Sequence, residues 1–331
     1  MATLYLTEQG ARLMRTHSRL IVEKEGKTLL QVPIIKINNI VIFGRILITI
    51  PVIELVLNEG IPCAFLSING RLKGILEPIR SKNILLRVRQ FERAKDENFR
   101  IYLSRLIVYG KIRNQRRLIQ RFAHNHPELN FQTELSELDI MLKHLQIKNS
   151  ISGIMGIEGQ ATAVYFRAYS KLFKGELTFD QRSRRPPRNP VNALLSLGYT
   201  LLTNEYLSLI TASGFDPYLG FYHGISYGRP SLALDMVEEL RHPVIDMLAL
   251  ELINRKMLTE SDFVGDGSTG FFLSDPGKKT FFTQYEKRMN AEFMHPKSGE
   301  QTTIRKVIRQ QVYTLMRVIE DNEIYEPFLI G

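Results

Sequence analysis

The run RLKGILEPIRSKNILLRVRQFERAKDENFRIYLSRLI, Arg71 to Ile107, contains the change of pattern that sets the fold class. Leu72–Leu76 is a short apolar run that follows the turn pair Asn69-Gly70 and reads as a strand. Beyond it, Leu85, Leu86, Val88, Phe91, Phe99, Tyr102, Leu103, Leu106 and Ile107 recur at three- and four-residue steps, the spacing of a helix face. Pro78 interrupts the pattern between the two, which sets the boundary near Glu77–Ser81.

Working towards the N-terminus, Thr3–Leu6, Leu20–Glu23, Thr28–Val32, Ile40–Phe43 and Cys63–Ser67 are strand-like runs between turn signals. Glu25-Gly26-Lys27 and Asn69-Gly70 supply hairpin turns, and Pro51–Asn58 reads as one short helix closed by Gly60. Working towards the C-terminus, helical periodicity dominates, with loops expected at Phe179–Pro190, Gly265–Lys279 and Met294–Gln301. No internal repeat is found. The expected fold class is α+β: a small N-terminal β domain, residues 1–80, followed by a larger all-helical domain, residues 81–331.

The chain has 331 residues and a net charge of +10. The segment Arg80 to Arg121 holds thirteen Lys/Arg and three Asp/Glu, so the remaining 31 basic and 31 acidic residues cancel. Such concentrated charge favours a polyanion, nucleic acid being the commonest. A solvated basic helix face is the other reading. Phe91, Phe99, Tyr102 and Tyr109 have the chemistry to stack on bases, yet they fit core spacing at least as well. The basic, proline-stiffened loop with Arg182, Arg184, Arg185 and Arg188 either grips phosphates or is a charged connector.

Cys63 is the single cysteine, so an intramolecular disulfide and an all-cysteine metal cage are excluded, and a reducing cytoplasm fits. The most apolar stretch, Ile37–Leu57, is broken by Arg45, Pro51 and Glu54, short of the roughly 18 apolar residues of a membrane span. MATLYLTEQGAR lacks the apolar centre of a signal peptide.

Two segments carry candidate chemistry. In Gly153–Phe173, the residues Ile154, Ile157, Ala161, Val164, Ala168 and Leu172 form one apolar stripe, with Glu158 at its edge. A carboxylate there needs a positive partner, either a basic side chain or a metal ion. In Gly220–Pro243, His223 precedes a loop with Gly224, Gly228 and Pro230. Ser231 stands where an N-cap belongs, and the helix is expected to run to about Arg241, before Pro243. Asp235 and Glu238, three apart, share one face of it. Carboxylates with an imidazole suit Mg²⁺ or Mn²⁺, whereas no zinc signature occurs. Gly26-Lys27-Thr28 lacks the glycine of a phosphate loop, no Gly-x-Ser-x-Gly elbow exists, and His124 and His126 read as surface residues.

With these motifs in view, the chain resembles the CRISPR-associated integrase, the larger catalytic subunit of spacer acquisition, over essentially its whole length. The matching stretches are GIEGQATAVYF from Gly156, PVNALLSLGYTLL from Pro190 and HGISYGRPSLALDMVEELRHPVID from His223. The resemblance implies Glu158, His223 and Glu238 as ligands of Mg²⁺ or Mn²⁺, with Asp235 as a further acid near the metal. Arg229 and Arg241 fall where basic residues line the DNA path in some members. It further implies a metal-dependent DNA endonuclease and integrase, working as a homodimer with a small ferredoxin-like CRISPR-associated partner dimer. In the implied reaction, the 3′-hydroxyl of a short DNA fragment attacks a phosphodiester of the CRISPR array. A non-enzymatic nucleic-acid-binding scaffold is the alternative from another class. A phosphohydrolase of small nucleotides is a third, disfavoured by the basic excess.

Overall fold

Ile40, Val41, Ile42 and Phe43 are apolar at four successive positions, and the computed structural model buries all four in the middle of a sheet. A strand covered on both faces needs such an unbroken run, whereas a half-covered strand alternates. Residues 2–76 and 83–331 are described, and they fall into two units, Met1–Arg80 and Ser81–Gly331. The changeover expected at Glu77–Ser81 lies outside the described residues, apart from the unit limits themselves.

The first unit runs β1 (Ala2–Leu6), β2 (Arg12–Thr16), β3 (Arg19–Lys24), β4 (Lys27–Pro33), β5 (Ile37–Phe43), β6 (Leu47–Ile48), α1 (Ile50–Asn58), β7 (Cys63–Leu66) and β8 (Leu72–Leu76). One sheet has the order β1-β5-β7-β8, with β1, β5 and β7 parallel and β8 antiparallel. The other has the order β4-β3-β2-β6. Leu4 and Leu6, Leu20 and Val22, and Leu13 point into one core with Ile40, Ile42, Val52 and Cys63. The Glu25-Gly26 turn has positive φ at both residues, 50° and 75°, the geometry that matches the twist of a tight hairpin. Strands β2 and β6 were not expected. Arg12 and Arg15 mask the first in composition, and the second is only two residues long.

The second unit contains α2 (Ile84–Lys95), α3 (Glu97–Asn125), α4 (Gln132–Gln146), α5 (Ile151–Ser170), α6 (Pro190–Ser213), α7 (Ser231–Leu240), α8 (Met247–Asn254), β9 (Phe263–Asp266), β10 (Gly270–Leu273), α9 (Asp275–Asn290), β11 (Phe293–Met294), β12 (Gln301–Thr302) and α10 (Ile304–Glu320). It is mostly helical rather than all-helical, because two short antiparallel ribbons interrupt it. The expected loop Gly265–Lys279 holds most of the first ribbon and the start of α9. Gly265 and Gly270, both at positive φ, mark its turn. Among the described residues no helix is long and apolar enough to cross a membrane.

Helix α3 packs against α4, α5 and α7. Helix α7 is a core helix: among its ten residues, only Leu234 is not fully buried. The sequence suggested that the helical path ends before Pro243; α7 ends at Leu240, but the path continues through Pro243. Its missing amide leaves the Glu239 carbonyl without the usual donor four residues on. Asn114 Nδ2 supplies one instead at 2.8 Å, and Arg241–Asp246 widens into a π-turn that leads into α8. Opposite this segment α6 has Gly198, where a Cβ would lie 2.5 Å from Ile245 Cγ2, so only glycine lets the two approach.

After α10 the chain lies across α3 and α7 without regular structure. Glu239 holds it: its fully buried carboxylate accepts from Tyr325 Oη at 2.5 Å, Phe328 N at 2.9 Å and Gln311 Nε2 at 2.7 Å. Burial pushes this carboxyl up to about 7 despite those donors. Asn114 completes the attachment through Phe328 O and Ile330 N, both at 2.9 Å. Tyr325→Phe is expected to cost about 1–3 kcal/mol, the range for a buried acceptor that loses a donor. The loss should show as a lower unfolding midpoint and faster amide exchange in residues 322–330. Unchanged exchange there would mean that the tyrosine does not hold the segment.

Candidate metal centre

Ser150 fixes the register of α5, its hydroxyl accepting from Gly153 N at 3.2 Å as an N-cap. That register buries Ile154, Ile157, Ala161, Val164 and Ala168 and leaves Glu158 at the margin, its side chain 21 % exposed. Glu158 Oε1 accepts from Thr162 Oγ1 at 3.0 Å. It also accepts from the ammonium of Lys111, which α3 projects into the same space. Lys111 Nζ lies in addition 2.6 Å from Glu238 Oε2. One buried ammonium therefore joins the carboxylates of α5 and α7.

The other oxygen of Glu238 faces Arg241 Nη1 at 2.6 Å, and the Arg241 guanidinium lies over the Tyr199 ring, 4.3 Å from its centre. Burial alone would raise the Glu238 carboxyl. Arg241 and then Lys111 hold it far below the usual carboxylate range. Glu238 Oε2 has no well-directed hydrogen bond and meets Lys111 as a charge contact.

Asp235, fully buried one turn earlier, accepts from the amides of Phe221, Tyr222 and His223 at 2.6, 3.0 and 2.8 Å. Its Oδ1 also lies 2.8 Å from His223 Nδ1. This carboxylate sits so close to the incoming chain that a Cβ at Gly220 would lie 2.7 Å from Oδ2. The bond to Nδ1 orients the His223 ring and leaves Nε2 as the outward nitrogen, the second-sphere arrangement used to aim metal-binding imidazoles. Buried Tyr222 lies amid these acids: burial first, then the charges of Glu158, Glu238 and Asp235, raise its phenol well above the usual range.

Among the described residues, no three His, Cys, Asp or Glu side chains converge as a metal cluster. The structure brings Glu158 and Glu238 onto one cation, and that cation is Lys111. The donor chemistry fits a hard divalent ion, with two carboxylates that already share a positive charge and an aimed imidazole in the same electrostatic neighbourhood. Lys111, Thr162 and Tyr222 were not singled out from the sequence. For Lys111 the signal was present: it follows Ile107 and Val108 at helical spacing, so a lysine falls on an apolar face.

The basic residues are largely engaged within the protein. Arg182 packs over Tyr199 and donates to Asn192 Oδ1 at 2.8 Å and Ser196 Oγ at 3.0 Å. Its pKa is lowered to about 10, chiefly by burial. Arg229 donates to the Gly224 carbonyl, and Ser231, the first residue of α7 rather than its cap, does likewise at 3.0 Å. Arg241 is committed to Glu238. In the basic segment, Arg87, Arg89, Arg100 and Arg105 donate to the carbonyls of Gly214, Glu320, Phe221 and Lys148, while Arg116 grips Asp139 with two bonds. Much of the positive excess thus ties helices and loops together. Arg184 and Arg185 are exposed, as is His124, while His126 faces Glu128 at 3.1 Å.

Solved structures share this fold. A Cas1 protein of Thermotoga maritima superposes with a TM-score of 0.83 at 26 % identity, over 100 % of this chain and 99 % of its own. A casposase bound to integration product superposes at 0.87 and 23 % identity, over 99 % of this chain and 93 % of its own. The family model of CRISPR associated protein Cas1 matches residues 4–287. CRISPR-associated endonuclease Cas1 3 of Thermus thermophilus is 34 % identical over 334 residues, covering 100 % of this chain and 98 % of the relative. The chain belongs to the Cas1 family.

Removing the Asp235 carboxylate leaves three amides without their acceptor, at about 1–3 kcal/mol for a buried unsatisfied group. Asp235→Ala is expected to speed amide exchange at Phe221, Tyr222 and His223 by about tenfold or more. Retained protection there would show that the loop is held by other contacts.

Proposed function

We propose that this chain is a divalent-metal-dependent DNA endonuclease and integrase that inserts short DNA fragments into a CRISPR array. The observation that carries the reading is the meeting of Glu158 and Glu238, from two helices, on one cation, with the Asp235-oriented imidazole of His223 near enough for its charge to act on Glu238. Membership of a family whose relatives are named endonucleases, and a fold shared with an integration-product complex, support the same reading. Mg²⁺ or Mn²⁺, held by Glu158, Glu238 and His223, would polarise a phosphoryl oxygen and stabilise charge on the attacking or leaving oxygen.

The chain's own residues supply position. Arg241 fixes the Glu238 carboxylate, Thr162 fixes that of Glu158, and Asp235 fixes the imidazole plane. The nucleophile comes from the substrate. Cys63 belongs to the first unit and is buried, which pushes its thiol up to about 12, so it offers no thiolate. A DNA 3′-hydroxyl gives up its proton and forms the new phosphorus–oxygen bond while the bond to the 3′-oxygen of the displaced strand breaks; that oxygen takes up a proton, so the strand leaves with a 3′-hydroxyl and no net proton is consumed. Water in place of the incoming hydroxyl gives hydrolysis. In keeping with the family resemblance, the active form is a homodimer, with the β unit serving dimer and partner contacts. It binds a small ferredoxin-like CRISPR-associated partner dimer.

The pairing of Lys111 and Arg241 with the acids gives one alternative some weight: a DNA-binding scaffold whose charged centre is purely structural. Strand transfer from a branched DNA, with and without Mn²⁺, separates the two. Glu158→Ala, His223→Ala and Glu238→Ala should each lower Mn²⁺-dependent strand transfer by roughly a hundredfold or more, with DNA binding retained. Full activity of Glu158→Ala would sink the assignment. For the DNA surface, the exposed pair is the test: Arg184→Glu with Arg185→Glu should weaken DNA binding and reduce its salt slope by about 2, roughly one for each arginine–phosphate pair removed. An unchanged slope would remove this loop from the interface.

A further inference from the structure

Lys111 is the most deeply buried lysine beside the acidic centre, only 3 % exposed. Its ammonium touches the two carboxylates of the proposed metal centre and has no other polar partner among the described residues. Glu158 is the more exposed of the two acids, its side chain 21 % exposed against 4 % for Glu238, whose other oxygen is held by Arg241. Two facts of charge follow. Without a cation between them, Glu158 and Glu238 would repel across a partly dry space. A divalent ion drawn to these same oxygens would lie close enough to Nζ for the like charges to repel.

We propose that Lys111 is the resident counter-ion of the metal-free centre and competes with the divalent ion for Glu158 and Glu238. The inference rests on the metal-centre reading given above and deepens it. The ammonium keeps the two acids assembled until an ion arrives. Loading exchanges one positive charge for another, and the observed affinity is reduced by the stability of the lysine pairs that must be broken. A protein that binds metal weakly on its own, without losing its site geometry, is the result.

The test uses the full-length chain without DNA and Mn²⁺ as the probe, with bound ion read from the loss of the free Mn²⁺ electron paramagnetic resonance signal. Lys111→Met should bind Mn²⁺ about tenfold or more tightly than the unsubstituted protein. It should also be less stable without the ion and gain more unfolding temperature from it. Lys111→Arg, which keeps the charge, should stay close to the unsubstituted affinity. Lys111→Met binding no more tightly, while Glu158→Gln still abolishes binding, would overturn the competition but leave the metal centre standing. Mn²⁺ binding that persists in both Glu158→Gln and Glu238→Gln would instead overturn the metal centre itself. Should Lys111→Met fail to fold, the ¹⁵N resonance of the buried ammonium in the unsubstituted protein serves. It should shift or vanish on titration with Mg²⁺, and an unmoved signal at Mg²⁺ saturation would overturn the proposal.

Discussion

Helix α7 is buried on nearly every side and carries Asp235, Glu238 and Glu239 within one and a half turns. Removing a carboxylate from water costs several kcal/mol unless charge or hydrogen bonds replace the lost hydration. The surroundings are arranged around that requirement, and the three acids meet it in three different ways. Asp235 takes backbone amides and a ring nitrogen, Glu238 takes two cations, and Glu239 takes a phenol, an amide side chain and a backbone amide.

Each solution also fixes a piece of chain. The amides that satisfy Asp235 belong to the strand of loop that presents His223, so the imidazole is oriented by the group that needed partners. The cations that satisfy Glu238 come from α3 and from the π-turn after α7, which brings Lys111 and Arg241 into the centre. The donors that satisfy Glu239 come from α10 and the segment after it, which closes over α3. The centre is therefore built as a by-product of desolvated charge on one helix, and its second acid, Glu158, is recruited by the same ammonium.

The positive excess has the same character. Thirteen basic residues between Arg80 and Arg121 suggested a DNA-facing surface. Several of them end on carbonyl oxygens of loops and helix ends, and Arg116 on a carboxylate. Net charge counts protons along a chain but carries no information about where a guanidinium points. The same holds for Arg182, whose loop was legible as a loop although its burial against Tyr199 was not.

By itself the sequence determined the order of the fold, β first and helix after, because short apolar runs between turn signals give way to apolar residues at three- and four-residue steps around Pro78. It determined the unbroken apolar strand at Ile40–Phe43 and the hairpin turn at Glu25-Gly26, where local backbone preference suffices. It also singled out Glu158, His223, Asp235 and Glu238 as acids and an imidazole in unusual company. Only the tertiary structure decided what stands between them. Lys111 lies forty-seven positions before Glu158 and farther still from Glu238, and no local rule links them. Nor could local rules foresee that helix would continue past Pro243, because the donor replacing its missing amide, Asn114, arrives from another helix. Pairings of this kind are set by the cost of leaving a buried charge or carbonyl unmatched, and that cost is defined only once the helices have packed.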